Sequence, residues 1–485
     1  MKVTTRIQLS AMMFLQFFIW SVWYVTMSPY LREVLKCSPQ EVGIAYTATG
    51  WAAFVSPFFV GMVADRFFAA QRIMAVLHFL GGLCMLGVSQ ARSFGTFFPL
   101  LLGHTLCFMP TLALANTLAM KQMEDPGKQF SRVAVFGTIG WIAAGQLLGL
   151  FGGRQISTPI SFQLACGVSW LMGLYALTLP HTPPKAAGQR VTARDILGLD
   201  ALSLLKDPSF AVFVVTAFLF CIPLNLYFSF TPSFLEDFQI TNVAGTMTLG
   251  QFSEILFMVV MPWFLARLGI KWVFVLGMLG WSVRYLLFFL GYRQDALWPL
   301  YAGVALHGIC YVFFFVLAYI YVDKKAPETI RTKAQGFIAL VTLGLGFLVG
   351  GVVSGRVVQQ FSFPAVEPTK FKLVRDATRL AVNDYVRWEV NGVPAFGRIT
   401  ALNTNVTSPT PVTATVEVFD RKAGKYHPSG KTQSLPVSAL TKPMTRWGRV
   451  WALAAGAGLV LMVLFALVFQ HKEQPKPLAA QPGPA

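Results

Sequence analysis

The sequence predicts an all-α polytopic membrane protein. It has twelve transmembrane helices in two six-helix halves, with a small β module of SH3-like type inserted outside between helices 11 and 12. Three observations predict it. Of 485 residues, 55% are hydrophobic and only 12% charged, where a soluble chain carries about 25% charged residues. The mean hydropathy is +0.58. The apolar residues are gathered into runs of the length that crosses a bilayer as a helix, about 20 residues.

Those runs fall at roughly 8–30, 41–63, 73–91, 97–120, 133–153, 159–180, 209–233, 244–266, 272–291, 298–321, 334–356 and 447–469. In lipid every backbone polar group must be satisfied internally, so each is read as a helix. The first run is too long for a signal peptide, and no small-residue cleavage site follows it. The longest inner loop, 181–208, divides the runs six and six. Its ARDILGLDALSLLKD stretch could lie on the membrane surface as a short amphipathic helix. The expected organisation is residues 1–180 as the N-terminal bundle, 181–208 as the linker and 209–361 as helices 7–11. Residues 362–445 form the module, 446–470 helix 12, and 471–485 a disordered Pro/Ala-rich inner tail.

The net charge of +18 could point to nucleic acid, but the placement of the charges argues against it. Of 39 Lys and Arg, 19 fall in short loops and tails on one face, 5 in the short loops of the other, and 14 between 356 and 449. That asymmetry is the positive-inside rule. It predicts a multi-pass membrane protein with both termini on the cytoplasmic side; the bacterial inner membrane is what the family resemblance given below implies. Six cysteines make no disulfide framework: five sit in apolar runs, and Cys37 is alone in an outer loop.

Residues 362–445 change character. DYVRWEV and VPAFGRITAL flank Asn391-Gly392, the strongest short hairpin signal. PVTATVEVFD and KTQSLPVSAL continue the alternation. The module is mildly basic, and its partner is unknown; a stability insert with no ligand is an equal reading.

The chemistry is sparse. Only Glu254 and Arg284 are charged in the interior of the runs. A mid-span charge costs roughly 2.5–3.5 kcal/mol, so such a residue faces the bundle interior or a wet cavity. Gln251 shares a helix face with Glu254. This pair could bind a polyhydroxylated solute, and the carboxylate could take up a proton. The alternative is a structural Glu254–Arg284 ion pair. Thr138 with Trp141, Asn225 with Phe228, and His307 with Tyr311 are pairs at helical spacing, and Trp20 and Trp23 lie in the first run. Stacking aromatics with amides and hydroxyls suit a flat polar ring, although any one of them alone is more often packing. The glycines of run 11, Gly344 to Gly355, read as packing positions. Gly61, Asp65 and Arg66 between runs 2 and 3 resemble the signature loop of the major facilitator superfamily, an inner gate whose Asp accepts hydrogen bonds from a neighbouring helix end. No metal-ligand spacing, nucleophile triad or phosphate loop is present, so no enzyme, cofactor or metal centre is expected.

Several segments together resemble the bacterial nucleoside:proton symporters, the nucleoside and xanthosine permease group of that superfamily. They are LQFFIWSVWYVT (15–26), GMVADR (61–66), MPTLALANT (109–117), FGTIGW (136–141), LGLDALSLLKD (197–207), SEILFMVVMPWFLARLGIK (253–271), APETIRTKAQGF (326–337) and GGVVSGRVV (350–358). The resemblance implies a central cavity that binds a nucleoside by base stacking and ribose hydrogen bonds. It places Thr138, Trp141, Asn225, Phe228, Gln251, Glu254, His307 and Tyr311 there, with Glu254 coupling protons. Two positions depart from the family pattern: Ala134 replaces an Arg and Val312 an Asp. Losing both members of a buried pair can be nearly neutral, so the two are expected to be neighbours. The expected function is a secondary active transporter of nucleosides or a related small polar solute, proton-coupled through Glu254, by alternating access. Its partners are that solute, protons and lipids. The alternatives are a non-transporting receptor or scaffold, or a facilitator that has lost proton coupling.

Overall fold

The computed structural model describes residues 2–59, 69–150, 158–183, 199–363, 372–374, 380–404, 411–422 and 425–470. Among them, nine helical stretches are long and apolar enough to cross a membrane. The helices are α1 (Val3–Glu33), α2 (Pro39–Phe59), α3 (Ala70–Gln90), α4 (Phe94–Lys121), α5 (Pro126–Leu150), α6 (Ile160–Ala176), α7 (Pro208–Asp237), α8 (Val243–Gln294), α9 (Trp298–Lys325), α10 (Glu328–Gln360) and α11 (Trp447–Val468). Runs 8 and 9, expected as separate helices, are two helices that follow each other within the 52-residue stretch Val243–Gln294. It turns sharply at Gly269, whose φ of 70° suits a residue without a Cβ. Of the linker the structure describes residues 181–183 and 199–208, and Leu199–Lys206, within the stretch expected as a short amphipathic helix, forms a 3₁₀ helix.

Helices α1–α6 form one group and α7–α11 another, and the two meet across α2–α10, α5–α8 and α1–α7. Small residues set the first two seams. A Cβ on Gly43 would come within 2.7 Å of the Gly355 Cα, and one on Gly145 within 2.5 Å of the Thr248 methyl. Only glycine lets these backbones approach so closely. Where α7 begins, Pro208 takes the first helical position and Asp207 accepts the Phe210 amide at 3.0 Å. The Lys325 ammonium at 2.6 Å and this amide hold the Asp207 carboxyl below its usual range.

The module is a four-stranded antiparallel sheet in sequential order: β1 (Tyr385–Val390), β2 (Val393–Thr404), β3 (Pro411–Lys422) and β4 (Lys425–Pro436). Val390 pairs with Val393 across Asn391-Gly392, whose φ values of 52° and 78° are the two positive angles a tight hairpin needs. Val386, Trp388, Ile399, Ala414, Val416 and Leu440 form its core. Bridges from Thr441 to Arg387 and from Pro443 to Leu373 carry the chain back to α11.

The module is fastened to both helix groups. Lys372 donates to the Tyr292 carbonyl at 2.5 Å. Lys36, just past α1, pairs with Asp384 at 2.5 Å, and Lys442 pairs with Glu33 at 2.7 Å. Burial alone would lower the Lys442 pKa, but the carboxylates of Glu33 and Asp384 outweigh it and hold it above the ordinary lysine value. Beneath these, Arg32 reaches Asp237 at 3.1 Å, Trp447 donates to the same carboxylate at 2.6 Å, and Ser28 bonds Ser233 at 2.6 Å. At the module end, then, polar contacts tie α1 to α7 and to the module.

Candidate functional site

A cavity of about 170 Å³ lies between the two helix groups. Helix α1 presents Phe17, Trp20 and Tyr24, and α5 presents Thr138 and Trp141. Across from them, α7 contributes Phe228, α8 Gln251 and Glu254, and α9 His307 and Tyr311. Seven of the eight binding residues nominated from the sequence therefore line one cavity. The eighth, Asn225, does not line it. It is fully buried, accepts the Ser229 hydroxyl at 2.8 Å and packs on Gly350. Gly61, Asp65 and Arg66 lie outside the described residues.

Local geometry explains the α8–α9 wall. A Cβ on Gly250 would sit 2.8 Å from the His307 Cβ, and the Gly308 amide donates to the Ser253 hydroxyl at 3.1 Å. These glycines let the two helices touch, which sets Gln251 and Glu254 beside His307 and Tyr311. Helix α9 widens into a π-helical stretch at Val312–Val316, and α10 does so at Leu340–Gly346. Both stretches feed the cavity lining, with Phe315 and Thr342. Such bulges commonly mark functional positions.

The lining is aromatic on both sides. Trp20 meets Trp141 at 5.7 Å between ring centroids, Tyr24 meets Phe228 at 5.7 Å, and His307 stacks on Tyr311 at 5.5 Å. Trp23 points the other way and packs edge-on against His104 inside the first group. Four polar atoms on the cavity residues are buried without a hydrogen-bond partner among the described residues: Trp20 Nε1, the Tyr24 hydroxyl, Gln251 Oε1 and His307 Nδ1. Each such atom costs about 1–3 kcal/mol. All four belong to residues that line the cavity, two from each helix group.

Glu254 is half-buried and makes no ion pair or hydrogen bond among the described residues. The alternative ion pair with Arg284 does not form. Arg284 is fully buried, donates through Nε to the Gly303 carbonyl at 3.0 Å, and lies over the rings of Tyr227 (4.0 Å) and Trp281 (4.6 Å). Tyr227 in turn stacks on His307 at 5.2 Å, so a ring separates the guanidinium from the cavity. Sequence reasoning missed Tyr24, Tyr319 and Thr342 in the lining. Tyr24 had a usable signal: it follows Trp20 by four residues and shares its helix face.

Residues 1–374 match the family model described as nucleoside H+ symporter. The chain belongs to the nucleoside H+ symporter family. Nucleoside H+ symporters are membrane transporters, not enzymes. YegT of Escherichia coli (strain K12) is 44% identical over 377 residues, covering 76% of this chain and 87% of that protein. The nucleoside permease NupG of the same organism is 30% identical over 372 residues, 74% of this chain and 88% of NupG. A crystal structure of NupG superposes with a TM-score of 0.73 at 26% identity, covering 96% of this chain and all of that one. As a nucleoside H+ symporter, the chain thus has the major facilitator fold of NupG with a β sheet added near its C-terminus.

Proposed function

We propose that the chain carries nucleosides across the bacterial inner membrane by alternating access, coupled to protons through Glu254. The base stacks between the Trp20–Trp141 wall and the His307–Tyr311 wall. Thr138, Gln251 and Glu254 hydrogen-bond the sugar or the base edge, and Asn225 supports Phe228 from behind. The observation that carries this reading is one aromatic cavity between the two helix groups whose described lining also holds Thr138, Gln251, His307 and a single carboxylate, Glu254.

The finer architecture follows the same reading. Splitting α8 at Gly269 and counting α2 and α6 as spans gives twelve crossings in two groups of six. The charge asymmetry supports cytoplasmic termini and an extracytoplasmic module. The sequential sheet, with Thr441 returning to pair beside Arg387, supports an SH3-like closure. Gly61, Asp65 and Arg66 serve as the inner gate. With the module end pinned shut, this conformation is the one closed to the outside.

The test is uptake of radiolabelled adenosine and uridine into vesicles with an imposed proton gradient. Accumulation should follow the gradient, and Glu254→Gln should leave only equilibration. Gradient-independent uptake by the wild type, or accumulation that survives Glu254→Gln, would overturn coupling through Glu254.

A further inference from the structure

Taken with the nucleoside reading, on which this inference rests, the cavity has an unusual charge balance. Its described lining holds one carboxylate, Glu254, and no Lys or Arg. The titratable groups that share the cavity with Glu254 are His307, Tyr311 and Tyr319 from α9 and Tyr24 from α1. Arg284 does not line the cavity: it donates through Nε to Gly303 and lies over Tyr227 and Trp281 behind a ring, its two terminal nitrogens buried without a hydrogen-bond partner among the described residues. Trp20, Tyr24, Trp141 and Phe228 line the same space and pack edge to face on one another. Aromatic faces around a carboxylate are the chemistry that selects a delocalised cation.

We propose that this cavity accepts nucleosides whose base carries a positive charge, such as N1-methylated adenosine, and that this charge takes the place of the coupling proton at Glu254. The physical argument is neutrality. A carrier reorients with the charge that lines its cavity balanced, because an uncompensated charge facing that space inside the membrane is costly. A neutral nucleoside leaves Glu254 to be balanced by a proton. A cationic base above the aromatic wall balances it directly. By the same rule, a base ionised to an anion adds a second negative charge to a site that has no cation to meet it.

Proteoliposomes holding the whole chain test this. The readout is inhibition of labelled adenosine uptake at neutral pH by N1-methyladenosine (cation), uridine (neutral) and xanthosine (anion). The cation should compete roughly 2- to 30-fold better than adenosine itself, the range a cation–π contribution supports, and xanthosine worst of the three. Labelled N1-methyladenosine should accumulate under an inside-negative potential with no pH gradient and with no uptake of protons from the medium. In E254Q its advantage over adenosine should vanish. Should E254Q fail to fold, the wild-type ranking and the proton measurement decide alone. Adenosine uptake with the methylated nucleoside excluded, or carried with an extra proton, overturns this inference and leaves the nucleoside reading standing. No uptake of adenosine, uridine or the methylated nucleoside overturns both.

Discussion

The contacts at the module end predict that the module takes part in the transport cycle, and one charge tests it. Opening the cavity to the module side requires α1 to separate from α7 and from the module, which breaks Lys36–Asp384 and Lys442–Glu33. Asp384 is the centre of this arrangement. Its carboxylate is only 4% exposed and meets Lys36 at 2.5 Å and Lys442 at 3.6 Å. Asp384→Asn removes the charge and keeps a side-chain oxygen for the Ala381 amide, which donates to it at 2.9 Å. A hydrogen bond to a charged group is worth about 1.5–3 kcal/mol. The two lysines are 17% and 20% exposed, so solvent screening brings this down to about 1–2 kcal/mol. That corresponds to about a 5- to 30-fold shift toward the state open at the module end.

The assay is alkylation of Thr138→Cys, in a background without the native cysteines, by a membrane-impermeant maleimide added from the module side. Labelling should rise about 5- to 30-fold in Asp384→Asn. Lys36→Gln should give a similar rise, and the double variant should show less than the sum, as expected for residues in one network. Raised ionic strength should move the wild type part of the way, because the lysines are partly solvated. An unchanged labelling rate in a variant that melts like the wild type would refute the argument. The module would then be cargo on the outer face, as the sequence also allowed.

Four further outcomes follow from the geometry. Trp141→Ala should weaken nucleoside binding by about 1–3 kcal/mol, the worth of one base–aromatic stack, read as apparent affinity in uptake, while Trp23→Ala should lower thermal stability instead. Gly43→Ala should disfavour closure of the α2–α10 seam, raising Thr138→Cys labelling from the module side, since the added methyl meets the backbone of Gly355. Arg284→Met should melt no lower than wild type, because replacing a buried charge by an apolar side chain of similar size is often neutral or stabilising. Arg284→Lys should melt lower, since an ammonium cannot lie flat on Tyr227 and Trp281. Asp207→Ala should cost about 0.5–2 kcal/mol through the lost helix cap. Because its folded pKa is depressed, the Asp207 contribution is present above its unfolded value near 3.8 and is lost as pH falls below it; thermal melts across acidic pH read this.

The parts of the fold written in local chemistry were legible in the sequence. Apolar runs gave the helices because lipid forces every backbone group inward, and Asn391-Gly392 gave the β1–β2 hairpin because few pairs accept two positive φ angles. The break between runs 8 and 9 was legible as well: Arg267 and Lys271 mark it, and the structure narrows it to Gly269, whose φ of 70° and ψ of 171° separate the two helices. In the site, Gln251 and Glu254 could be paired by helical spacing alone. That His307 and Tyr311 stand beside them depends on Gly250 and Gly308, glycines that show a close approach only once their neighbours are known. The ion-pair question was open for a similar reason. Spacing gives the helix face of Arg284, whereas its partners, Tyr227 and Trp281, are rings that stabilise the guanidinium through π faces and leave no complementary charge to find. A carboxylate left unpaired in this way can answer to a proton or to a positively charged guest, and that freedom is what a salt bridge with Arg284 would have removed.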